Sequence, residues 1–253
     1  MKTLYFDCAM GAAGDMLTAA LLELHPKPEE AVAALNAAFA GRAVLSFRKD
    51  SKCGIQGTHV TVRIGDRVEG ESVPAEHKHR HHRHTSLREV QAFIGSLPLP
   101  APVVENALQV YALLAAAESA VHGQPIENIH FHEVGSLDAM ADVVSVCFLL
   151  HELAPERILA SPINVGKGTV RCAHGILSVP APATLRLLRG VPIYAGPVSG
   201  ELCTPTGAAL LRHFVESFCD LPLLRVEQVG CGTGSKDLES ANILRAIWGV
   251  SLP

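Results

Sequence analysis

Thr3-Leu4-Tyr5-Phe6-Asp7-Cys8-Ala9-Met10-Gly11-Ala12-Ala13-Gly14-Asp15-Met16 opens on four residues that read as a strand, turns at its glycines, and runs on into a helical pattern over residues 16–24. A strand, a glycine turn and a helix in this order begin an α/β architecture, not a bundle or a sandwich. Outward from that unit, the periodicity predicts a helix over 29–40 and paired strands over 43–49 and 55–64. Ser86 reads as the cap of a helix to about 96, Pro98, Pro100 and Pro102 form a stiff connector, and a long helix follows, ending at Gly123. Ile129 to Gly135 reads as a short strand or turn, and residues 137–153 as a helix with Leu137, Met140, Val144, Cys147 and His151 on one stripe. Beyond it, strands near 158–165, 169–172, 193–195, 224–229 and 242–248 interleave with helices near 182–189 and 205–218. The fold class expected is α/β, with mixed α+β as the near alternative: a mixed sheet with flanking helices in one domain over 1–253.

One stretch has no means of building a core. From 65 to 85 the hydrophobic periodicity disappears, and the stretch ends in His77-Lys78-His79-Arg80-His81-His82-Arg83-His84, so residues 66–85 are expected to form a disordered, mobile loop. Its five imidazoles within eight residues suit a borderline metal such as nickel, copper or zinc, while Lys78, Arg80 and Arg83 oppose binding by cation repulsion. The bland alternative is a solvated basic loop.

Composition limits the partners. With 48% apolar residues, a formal charge of -4 and a pI near 6.3, the chain has no field to gather nucleic acid or an anionic membrane. No apolar run is long enough to span a bilayer and no secretory leader is evident, so a cytoplasmic protein is expected. The seven cysteines are scattered and never form a Cys-x-x-Cys pair, which argues against a disulfide framework or a zinc ribbon and fits a reducing compartment.

A second set of donors is spaced for a site. His130 and His132, two apart, would leave one face of an extended segment, with Glu133 beside them. Asp138 and Asp142 lie one turn apart on the next helix and could complete a metal site or orient its imidazoles; alternatively Asp138 only complements the helix N-terminus. Cys172 and His174 repeat the i, i+2 spacing, although cysteines of this kind are commonly packing residues. Phosphate could meet Gly11 to Asp15, or the helix start at Thr204-Pro205-Thr206-Gly207, or the run Gly230-Cys231-Gly232-Thr233-Gly234-Ser235-Lys236-Asp237; ordinary capping and turn roles are the competing readings. No P-loop, dinucleotide fingerprint, Gly-x-Ser-x-Gly or His-Glu-x-x-His motif is present.

Taken together, Tyr5-Phe6-Asp7-Cys8 with Gly14-Asp15-Met16, Val121-His122-Gly123, His130-Phe131-His132-Glu133-Val134-Gly135, His174-Gly175-Ile176-Leu177 through Val179-Pro180-Ala181-Pro182-Ala183-Thr184, and Gly200-Glu201-Leu202-Cys203-Thr204-Pro205-Thr206-Gly207 resemble the family that inserts nickel into pyridinium-3,5-bisthiocarboxylic acid mononucleotide. The resemblance covers nearly the whole chain. It implies a nickel chelatase of the lyase class. Nickel(II) enters between two thiocarboxylate sulfurs, a ring proton is lost, and a metal-carbon bond forms at the carbon between them, with CTP hydrolysed in the family with the help of a divalent cation (Mg2+ or Mn2+). On it, His130 and His132 with the loop histidines His77, His79, His81, His82 and His84 contact metal, Glu133 or Asp142 accepts the proton, and Asp7, Asp15, His174, Thr204 and Thr206 hold the nucleotide phosphate or its cation. The implied partners are the mononucleotide, an apo lactate racemase-like enzyme and a protein carrying the family's CTP-associated C-terminal domain, which is expected to be absent here or joined by frameshifting; homo-oligomers stay open. Met10 departs from the hydroxyl residue the family tends to have. A non-catalytic nickel metallochaperone or buffer working through the loop is the rival reading, and a zinc or manganese phosphometabolite enzyme a weaker third.

Overall fold

In the strand Lys2–Asp7 (β1), Leu4 and Phe6 face the main hydrophobic core while Tyr5 faces a small cluster with Leu159 and Ile247, so the pleat of one strand separates the two sides of the sheet. The computed structural model describes residues 1–65, 67–68, 85–172 and 174–252, and the histidine tract His77, His79, His81, His82 and His84 lies outside the described residues.

After β1 come the helices Gly14–Leu24 (α1) and Pro28–Phe39 (α2) and the strands Val44–Lys52 (β2), Ile55–Ile64 (β3) and Arg67–Val68 (β4). Next are Thr85–Ser86 (β5), the helices Leu87–Gly95 (α3) and Ala101–His122 (α4), the short strand His130–Phe131 (β6) and the helix Leu137–Leu153 (α5). The strands Arg157–Ala160 (β7), Ile163–Asn164 (β8), Gly166–Lys167 (β9), Thr169–Cys172 (β10) and Gly175–Ser178 (β11) precede the helix Pro182–Leu187 (α6). Ile193–Tyr194 (β12), Gly200–Glu201 (β13), the helix Pro205–Phe214 (α7), Ser217–Phe218 (β14), Leu224–Thr233 (β15) and Ile243–Ser251 (β16) complete the chain. Among the described residues, no helix is long and apolar enough to cross a membrane.

The main sheet has eight strands in the order β14-β7-β1-β16-β15-β3-β2, with β4 beside β3. It is mixed: β14, β7 and β1 run parallel, β16 is antiparallel to both β1 and β15, and β15 meets β3 in parallel at Gly232 and Thr58. The expected mixed α/β class is therefore what folds. α1 lies against β15, β3 and β16, α5 packs on α1, and α4 packs on α5, α6 and α7, so the helices build outward from the sheet.

Two local readings change. The first half of the run over 230–237 is not a turn but the end of β15, which stops at Thr233, because a side chain at Gly230 or Gly232 would strike the backbone carbonyls of Ala20 or Met16 on α1. These glycines are what lets a helix lie directly on a strand. The helix expected over 205–218 stops at Phe214, since Ser217 and Phe218 join the sheet edge beside Leu159 and Ala160.

Candidate functional site

The turn after β1 and the start of α7 are sewn together. Ala12 N donates to Leu202 O at 3.0 Å and Thr204 N to Ala12 O at 3.0 Å, and Gly207 sits so close to the Ala12 carbonyl that no side chain would fit. Thr204 caps α7 by accepting from Gly207 N at 3.2 Å, with Pro205 as the first helical residue. Two helix N-termini, those of α1 and α7, thus border one hollow of about 200 Å³, lined by Gly14, Asp15, Asp142, Glu201, Thr204, Thr206, Ser235, Lys236 and Asn242. The dipoles of the two helix starts and the Lys236 ammonium group favour an anion there, against the carboxyls of Asp15, Asp142 and Glu201. Burial pushes the Asp15 carboxyl up, against a 2.8 Å hydrogen bond from Met16 N and the neighbouring His59. A carboxyl shifted toward its neutral form repels a phosphate less.

A second hollow, of about 300 Å³, lies alongside. Its wall holds His122, His132 and His174, with Glu118, Glu133, Cys172 and Glu201. Each imidazole comes from a different element: His122 ends α4, where Gly123 takes the left-handed conformation (φ 63°), His132 follows β6, and His174 sits at the turn joining β10 to β11. The His174 ring centroid is 4.6 Å from that of His132 and 4.9 Å from that of His122. Two imidazoles bound to one ion at bond lengths near 2.1 Å and right to tetrahedral angles would place their centroids roughly 4.6 to 5.3 Å apart. Spacing and donor type therefore fit a borderline divalent metal. Among the described residues, no group of three or more His, Cys, Asp or Glu side chains is arranged around one point to hold a metal ion.

The carboxylates around it are tuned by burial. Glu118, one turn before His122 on α4, has its Oε2 3.3 Å from His122 Nε2, and burial raises its pKa while His122 and His174 pull it down. Tyr111, wholly buried, donates to Val134 O at 2.9 Å and meets Phe131 edge-on, which fixes the segment carrying His132. Burial pushes Glu201 up to about 7, with Glu133 adding to the rise and Lys236 opposing it. The unfolded carboxyl titrates near 4.5, so between about 4.5 and 7 the folded state binds more protons and this group's contribution to stability falls as pH rises. Glu201→Gln should therefore match the parent's stability near pH 4.5 and exceed it by up to about 3 kcal/mol as pH rises to 7 and the parent loses this contribution. Thermal unfolding across that range checks it, and a constant difference would refute it.

The residues singled out in the sequence divide between places. His132, His174 and Glu133 meet at the larger hollow; Asp15, Asp142, Thr204 and Thr206 meet at the smaller. His174 is thus with the imidazoles and not with the phosphate-suited groups. His130 is exposed in β6, opposite Ser86, and the chain leaves the extended conformation at His132 (φ −90°, ψ −96°), so the pair does not share one extended face. Asp7 ends β1 in an ion pair with Arg245 and lines neither hollow. His122 and Glu201 stand in the motifs that carry the family resemblance but have no role assigned from the sequence, and Glu118 stands in none of them. A histidine before a helix-ending glycine reads as a complement to the helix dipole, and only the turn at 174 folding over it reveals more.

A family model described as "Nickel insertion protein" matches residues 4–251. The chain is similar to the pyridinium-3,5-bisthiocarboxylic acid mononucleotide nickel insertion protein of Desulfitobacterium hafniense (strain DSM 10664 / DCB-2), 45% identical over 245 residues, which is 97% of this chain and 58% of that protein. The proteins of the same description from Geobacillus kaustophilus (38% identical; 98% of this chain, 60% of that one) and Clostridium kluyveri (39%; 98% and 62%) are similar to it too. The chain spans about three fifths of the length of these curated relatives. No solved structure matches it.

Proposed function

Because the chain belongs to the nickel insertion protein family, we propose that it holds pyridinium-3,5-bisthiocarboxylic acid mononucleotide and delivers nickel(II) to it for cyclometallation. The observation carrying this reading is the adjacency of the two hollows, one walled by three imidazoles and the other by two helix N-termini with Lys236, meeting at Glu201. The substrate's phosphate belongs in the smaller hollow and its ring in the larger. Imidazole nitrogens hold a borderline ion, and the softer thiocarboxylate sulfurs can draw it away, so the direction of transfer follows from the ligands. Glu118 would orient His122 through their side-chain contact. CTP with Mg2+ or Mn2+ drives the reaction and an apo lactate racemase-like enzyme receives the product; both belong to this proposal.

Titration of the mononucleotide into the purified protein tests it. Binding should be saturable and competed by inorganic phosphate, and Lys236→Ala should weaken it about tenfold with a shallower salt dependence, as loss of a charge-assisted contact does. Tight nickel binding with no affinity for the mononucleotide would point instead to a nickel store.

A further inference from the structure

We propose that Glu201 is the base that removes the ring proton when the carbon-nickel bond forms. The inference rests on the reading of the two hollows given above and names a group within them. Among the described residues that line either hollow, Glu201 is the one shared by both. A substrate with its phosphate among the helix starts and its ring among the imidazoles must pass this side chain.

The carboxyl is carried on a clamped backbone. β13 pairs with β9, Gly200 with Lys167 and Glu201 with Gly166, Leu202 N donates to Val165 O at 3.2 Å, and Lys236 Nζ donates to Glu201 O at 3.2 Å. No side chain would fit at Gly166, which lies against the Gly200 carbonyl, so the strand has little room to shift. The other acceptors are placed less well. Asp142 is buried, 4% exposed, and lines only the smaller hollow, and Glu133 is exposed and lines only the larger one.

The step balances. The pair of electrons in the ring C–H bond becomes the carbon-nickel bond, nickel remains divalent, and the proton passes to a Glu201 carboxylate oxygen, giving the neutral acid. A half-buried carboxyl whose burial raises its affinity for protons to about 7 is a stronger base than an exposed one and is still ionised in good part at neutral pH.

Glu201→Gln, Glu201→Asp and the parent protein would be compared in nickel binding, mononucleotide binding and product absorbance, with protium or deuterium at the ring carbon between the thiocarboxylates. Glu201→Gln should bind both ligands within about threefold of the parent yet form product at least about a hundredfold more slowly, while the parent's rate rises with pH to a plateau above 7. Glu201→Asp should recover part of the rate with a shifted pH profile. Product formation by Glu201→Gln at a comparable rate, with an unchanged pH profile, would overturn the assignment alone. Absence of mononucleotide binding in the parent would overturn both it and the underlying reading.

Discussion

With residues 77–84 deleted so that the loop histidines cannot contribute, His132→Ala/His174→Ala lowers affinity for nickel(II) by more than about a hundredfold. Losing even an outer hydrogen-bonding partner of a metal ligand costs about 10- to 100-fold, so losing two of the three proposed ligands should exceed that. The pair is chosen because the His174 ring stands between those of His122 and His132, 4.9 and 4.6 Å away. His122→Ala alone should cost less, since two imidazoles remain. His130→Ala should change affinity by under about threefold, because His130 is outside the wall of the hollow. Isothermal titration with circular dichroism as a folding control decides the matter. Unaltered affinity in the double variant would remove the hollow from metal binding and return that role to the loop.

The second large effect is on the fold. Gly232→Val should destabilise the protein by about 3 to 5 kcal/mol, because a side chain there would press on the Met16 carbonyl and on Ala20 N, backbone groups that cannot swing aside. For a chain of this size that corresponds to a melting point lower by roughly 10 °C. Gly95→Ala supplies the contrast: the added methyl meets nothing within 4 Å at the end of α3, so it should be neutral or stabilise by up to about 1 kcal/mol. The Gly232 variant should also lose mononucleotide affinity, because α1 carries Asp15 into the smaller hollow. A melting point unchanged in Gly232→Val would show that α1 can move off β15 at little cost.

The framework of the molecule was legible wherever local pattern decides it. Residues 137–153 form a helix within those bounds, Gly123 ends the long helix, and Thr204 with Pro205 starts another, because periodicity and capping are properties of neighbouring residues. Where distant backbone intervenes, the reading was incomplete. The glycines at 230 and 232 look like a turn until α1 lies on them, and the two-residue strands β9 and β13 exist only through each other. The site divides in the same way. His132 and Glu133 stood out by spacing, whereas His122 and Glu201 acquire their places from contacts across more than 30 residues of chain, which no local window contains.

The pairing of β1 has a consequence for the order of folding. Lys2–Asp7 sits between β7 and β16, with Lys2 opposite Val250 and Asp7 opposite Arg245. During synthesis this apolar strand emerges well before its partners and waits for one neighbour made more than 150 residues later and another made about 240 to 250 later. So many distant pairings make for slow collapse, and an unpaired apolar strand is prone to join the wrong partner meanwhile. Yield of native protein should therefore depend on chaperone capacity and expression temperature more than the stability of the finished sheet would suggest.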